Sequence, residues 1–143
     1  EAMKQIPCKS RLYHELSLLL GKWKDGASWE ALEEMIHGKY KEEDHFDWCL
    51  AIPNALIVTA CVLCFGRDYS EAVIHAVLTG FDTDCNGATV GSIAGIACGA
   101  DKIPDKWKTP VQQVICSSVN SYARIPVEEI VKRTIAVSRT LRP

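Results

Sequence analysis

Apolar residues recur at three- and four-residue spacing along most of the chain, and no strict apolar/polar alternation runs long enough to predict a strand. The fold class read from this pattern is all-α. Leu12, Leu16, Leu19 and Leu20 share one face of a helix predicted over residues 10–23, which Lys24, Asp25 and Gly26 end. Ser28 can cap a second helix running to about His37. Residues 39–47 form a charge run, read as a solvated connection in which His45 is the member to watch. Pro53 suits a helix N1 position, residues 55–65 are apolar nearly all round, and Gly66 is placed as a C′ residue. This is the expected core helix. Asp68 and Glu71 have capping-box spacing for a helix through Val73, Val77 and Leu78 that stops at Gly80. A fifth helix is predicted over 87–98, followed by a loop with Pro104, Trp107 and Pro110. A further helix is expected from Val111 to about Tyr122, and a last one from Pro126, with Glu128 and Glu129 in its first turn.

Composition narrows the class of protein. The chain has 143 residues and 48% hydrophobic content, enough to bury a sizeable core as one unit. Its 16 basic and 18 acidic residues are mixed along the sequence, so no basic stripe indicates nucleic acid. The longest apolar stretch, 55–65, is far short of the roughly 20 residues that span a bilayer. Seven cysteines, several inside apolar stretches, suit a reducing, cytoplasmic setting. The abrupt helical start at Glu1 reads as a piece of a longer protein.

The informative segment is Gly80-Phe81-Asp82-Thr83-Asp84-Cys85-Asn86-Gly87. Two carboxylates two residues apart in an extended turn would project to the same side, close enough to share a hard cation or hold two adjacent ones; Mg²⁺, Mn²⁺ and Ca²⁺ suit such oxygen ligands. A structural alternative is that both aspartates simply cap the following helix. The start of an EF-hand loop also matches, but its twelfth position is Ile93 where a bidentate Glu is required. Downstream, Gly87, Gly91, Gly95 and Gly99 fall at four-residue intervals and put a bare stripe on one helix face. Each interior Gly costs about 1 kcal/mol against Ala. Close approach of another helix is the plain explanation of the stripe, and a ligand crossing it the sharper one.

Residues 80–95, GFDTDCNGATVGSIAG, resemble the C-terminal metal motif of the ADP-ribosylglycohydrolase family. Ile6-Pro7, Ser10-Arg11, Pro53-Asn54-Ala55, residues 103–107 and Glu128-Glu129-Ile130 are similar to further landmarks of that family. The resemblance implies an orthogonal multi-helix bundle, of which residues 1–143 would be the C-terminal part of a single domain lacking its N-terminal half. It further implies a Mg²⁺-dependent hydrolase, with two ions in the complete domain and Mn²⁺ as a substitute, that cleaves the glycosidic bond of ADP-ribosylated proteins or small ADP-ribosyl compounds. Asp82 and Asp84 would be metal ligands, Asn86 and His45 would lie on the substrate side, and no catalytic residue is assigned. Cys85 stands where many members have a Thr, and the N-terminal acidic cluster is absent, so this piece alone is expected to be inactive. The alternative is a non-catalytic structural or ADP-ribose-binding member.

The remaining candidates are weaker. Cys61 and Cys64 have redox-motif spacing but lie in an apolar helix, which favours core packing. His14, His37 and His75 read as surface or satisfied helix residues, and Trp107 as a loop anchor or a stacking surface for adenine.

Overall fold

A computed structural model describes residues 1–111 and 113–141 and divides them into two compact units, residues 1–103 and 104–143. The all-α expectation holds, with one small two-stranded sheet added. In the first unit, a short 3-10 turn precedes α1 (Arg11–Lys24) and α2 (Trp29–Lys39). Ser10 and Ser28 cap these helices by accepting from the backbone N–H of Tyr13 and Ala31. A second 3-10 turn, Asp47–Cys49, leads into α3 (Ala51–Phe65), followed by α4 (Tyr69–Leu78) and α5 (Thr83–Cys98).

Being apolar on nearly every side, α3 cannot lie on a surface, and it is the helix that touches α1, α2, α4 and α5. Leu56, Ile57, Ala60 and Cys61 on α3 pack into one core with Leu19, Leu32, Ile36 and Val90. The only charge buried in this unit, Glu15 in the second turn of α1, is ion-paired with Lys39 at the end of α2. Two details differ from the sequence expectation. Pro53 is the third residue of α3 rather than the first, a position still within the turn whose N–H groups lack helical partners. Gly66 ends the helix at φ −61°, so it is not a left-handed cap.

The glycine stripe faces α4. A Cβ added at Gly87 would meet Val77 Cγ2 at 3.0 Å, and one at Gly91 would meet Tyr69 Oη at 3.3 Å. Gly95 faces Tyr69 and Ile103 at 3.6 Å. The covering atoms are side chains of α4, joined at Gly95 by Ile103, rather than helix backbone, and they replace the ligand that the sharper reading put there. Gly99 does not belong to the stripe; nothing lies within 4 Å of its missing Cβ, and its φ of +85° ends the helix.

The second unit contains the short α6 (Asp105–Lys108), the antiparallel strands β1 (Val114–Cys116) and β2 (Arg124–Pro126), and α7 (Val127–Thr140). Ile115 pairs with Ile125 in the ladder. The helix expected over 111–122 is therefore overturned, although Gln112 lies outside the described residues. Val114, Ile115 and Val119 have helical spacing, but β-branching also suits them to extended backbone. Ser117 decides the outcome by accepting the Val119 N–H in a local turn, and Ser121 adopts φ +67°, which no helix permits. Arg133 on α7 donates to Tyr122 Oη at 2.6 Å and to Glu129 at 2.7 Å.

Because Leu56 is enclosed on α3, Leu56→Ala is expected to lower the unfolding free energy by roughly 2–5 kcal/mol. Leu78→Ala, at a side chain 76% exposed, should stay within about 0.5 kcal/mol. Urea denaturation followed by circular dichroism measures both.

Candidate metal centre

Four residues join α4 to α5, and their backbone is unusual. Gly80 and Phe81 both have positive φ, +86° and +60°. Left-handed geometry is free for Gly but costs roughly 1–2 kcal/mol for a side chain like Phe. Burial secures it: Phe81 is 8% exposed and its ring lies 5.2 Å from that of His37. The two left-handed residues turn the chain so sharply that α5 begins at Thr83, not at Gly87 as expected. Asp82 is thus the N-cap residue, and Asp84, Cys85 and Asn86 belong to the first helical turn rather than to an extended turn. The continuous helix through Ile93 removes the EF-hand alternative.

Neighbouring elements hold this turn from several sides. From α2, His37 Nε2 donates to the Thr79 carbonyl at 3.0 Å, and the Thr79 hydroxyl lies 3.2 Å from the Glu33 carboxylate. Glu42, from the charge run, accepts the Phe81 N–H at 3.3 Å and packs over Gly80. Asn54 on α3 accepts the Asp82 N–H at 3.2 Å and the Asn86 amide at 2.7 Å.

The result is a convergence of donors. One ligand atom each from Asp82, Asp84 and Cys85 lie within 4.8 Å of one another. The Asp82 carboxylate makes no side-chain cap bond to the α5 backbone, contrary to the capping alternative, and is turned toward this cluster. The carboxylate oxygens fit a hard divalent cation, while the thiol is a poor partner for one. Cys85 donates to Asp82, and that hydrogen bond together with the charges of Asp82 and Asp84 holds its thiol above the ordinary range.

An open cavity of about 420 Å³ adjoins the cluster, lined by Cys49, Asn54, Asp82, Cys85, Asn86 and Thr89 among others. Asn86 is 2% exposed and hydrogen-bonded to Asn54. His45 is not part of this lining; it is exposed, with its ring 5.2 Å from Phe46. Trp107 lies in the second unit, on α6, with Lys106 Nζ 5.6 Å from its ring centroid. Cys61 is buried, and desolvation pushes its thiol up to about 12, which removes the thiolate that redox exchange needs. Sequence reasoning missed Glu42, His37 and Asn54 as supports of the turn. Asn54 alone had a signal, as part of the Pro53-Asn54-Ala55 landmark.

The ADP-ribosylglycohydrolase family model matches residues 2–140, nearly the whole chain. The chain belongs to the ADP-ribosylglycohydrolase family. No curated protein and no solved structure gives a match. No helix among the described residues is long and apolar enough to cross a membrane.

Because its pKa is raised, Cys85 carries less thiolate at pH 8 than an ordinary thiol and should be alkylated by iodoacetamide more slowly. Asp82→Asn removes a charge and weakens the hydrogen bond, which lowers that pKa. Faster labelling of Cys85 in this variant, read by peptide mass spectrometry across pH 7–9, is the expected outcome.

Proposed function

We propose that the chain is the C-terminal, metal-bearing part of a single ADP-ribosylglycohydrolase-like domain that hydrolyses the glycosidic bond between ADP-ribose and an acceptor. The observation that carries this reading is the convergence of the Asp82 and Asp84 carboxylates beside an open cavity, in a chain that the family spans. Asp82 and Asp84 would hold the divalent ion, Mg²⁺ with Mn²⁺ as substitute, and a second ion would complete the centre in the whole domain. When bound, such ions supply Lewis acidity and a template for sugar hydroxyls and water. The protein's own part is to hold both carboxylates in fixed positions through the strained turn and to offer the adjoining cavity to the substrate. Asn86, which lines the cavity and is hydrogen-bonded to Asn54, would face the substrate, while His45 lies outside that lining on the exposed charge run. An ADP-ribosylated protein or a small ADP-ribosyl compound is the substrate class, and the setting is cytoplasmic.

Two carboxylates leave most of the roughly six oxygen positions around each Mg²⁺ unfilled. The missing N-terminal half of the domain, with its own acidic cluster, would supply the remainder, and this piece alone would turn over no substrate. A second reading, a non-catalytic ADP-ribose-binding or structural member, is favoured by one observation: the Cys85 thiol is a soft donor and its hydrogen bond occupies Asp82.

Release of ADP-ribose from ADP-ribosylated protein should require Mg²⁺ or Mn²⁺ in the complete domain and be absent from the 143-residue chain. Asp82→Asn combined with Asp84→Asn should lower the rate by more than ~100-fold, since loss of partners outside the ligand shell alone costs about 10–100-fold. Ion-dependent thermal stabilisation by ADP-ribose without turnover would select the non-catalytic reading. If neither ion nor ADP-ribose stabilises the protein and the double variant behaves as wild type, the site assignment is wrong.

A further inference from the structure

Asn54 is the most completely bonded side chain around the acidic turn. Its carboxamide has two N–H donors and one oxygen with two lone pairs, and all four are used. Nδ2 donates to the carbonyls of Trp48 at 3.0 Å and Leu50 at 2.8 Å. Oδ1 accepts the Asp82 N–H and the Asn86 amide. Three of these four partners are backbone groups whose polarity is fixed, so the amide has one orientation. A flipped amide would set Nδ2 against the Asp82 N–H and Oδ1 against two carbonyl oxygens.

The four partners lie on two separate pieces of chain. One is the start of α5, which carries Asp82 and Asp84. The other is the 3-10 turn and its exit, where Trp48 and Leu50 are 44% and 42% exposed and Cys49 lines the same cavity. Trp48 and Leu50 are half-exposed apolar side chains without a core to hold them. The hydrogen bonds from the Asn54 side chain, accepted by their carbonyls, add to the Asn54 backbone N–H that Leu50 also accepts, and they are the side-chain bonds that tie the Trp48 end of that stretch to α3.

We propose that Asn54 is a positioning residue that couples the carboxylate-bearing turn to the Trp48–Leu50 segment, so that an ion at Asp82 and Asp84 and the placement of the Trp48 indole report on one another. This rests on the metal reading of the acidic turn given above. The coupling is mechanical. A shift of the Asp82 N–H as its carboxylate engages an ion pulls on Oδ1, and a rigid planar amide passes that displacement to the two carbonyls bonded to Nδ2.

Two substitutions separate the halves of the device. Asn54→Leu keeps the shape and removes all four bonds. Asn54→Asp keeps acceptors for the Asp82 and Asn86 groups and cannot donate to Trp48 or Leu50. The complete domain, labelled with 5-fluorotryptophan and assigned with Trp48→Phe, would be titrated with Mn²⁺, affinity being read from the electron paramagnetic resonance of the free ion. Fluorine resonances would be followed in a parallel titration with diamagnetic Mg²⁺. In the wild type, the Trp48 resonance should shift in step with ion binding. Asn54→Leu should weaken Mn²⁺ binding by about tenfold or more while circular dichroism shows the helices retained. Asn54→Asp should bind Mn²⁺ at least as tightly as Asn54→Leu does, with a Trp48 resonance that no longer responds to Mg²⁺.

Mn²⁺ affinity unchanged within twofold in folded Asn54→Leu overturns the positioning role. A Trp48 resonance in Asn54→Asp that still follows Mg²⁺ as in the wild type overturns the coupling, and this arm decides if Asn54→Leu does not fold. Absence of Mn²⁺ binding by the wild type overturns the metal reading and this inference together, whereas wild-type binding with indifferent variants overturns this inference alone.

Discussion

A helix that is apolar on nearly every side must be surrounded, and α3 imposes that condition on the first unit. Four helices meet it, and each brings its apolar face inward to do so. The site depends on the same arrangement. Asn54 sits in the first turn of α3, so the helix that organises the core also carries the amide that grips Asp82 and Asn86. The core and the acidic turn are one construction, and the register between α3 and α5 is set by both at once.

The glycine face of α5 contributes in a different way. Giving up helix propensity at Gly87, Gly91 and Gly95 lets Tyr69, Val73 and Val77 of α4 come in tightly. Close packing there leaves the opposite, solvent side of α5 to carry Ile93 and Ile96, the latter 87% exposed. The α5 helix therefore has one side committed to α4 and another that displays apolar surface.

Much of the fold could be read in the sequence because its signals are local. Serine caps at Ser10 and Ser28, the Asp68 cap, and the unbroken apolar run of α3 each act within a turn or two of chain. Where the reading failed, two local signals competed. Between Val111 and Tyr122 the spacing suited a helix and the β-branched residues suited a strand, and the turn at Ser117 settled the matter. The start of α5 was placed too late because Phe81 takes a backbone conformation that propensity would not assign to a phenylalanine. At the site, the Asp82 and Asp84 pair was visible as a motif, while its supports were not. His37, Glu42 and Asn54 come from α2, a surface charge run and α3, and nothing in their own neighbourhoods marks a partner about 30–40 residues away.

Gly80 and Phe81 also fix how long the α4–α5 connection can be. Each residue of an α-helix advances about 100° around the axis. One residue inserted or deleted between Leu78 and Thr83, if taken up by shifting the residue at which α5 begins, would turn the faces of α5 by that angle relative to α4. Gly87 and Gly91 would swing off Val77 and Tyr69, and in the same movement Asp82 and Asn86 would leave Asn54. Among homologues, this loop is therefore expected to keep its length, because a change of length would break the helix seam and the carboxylate site together.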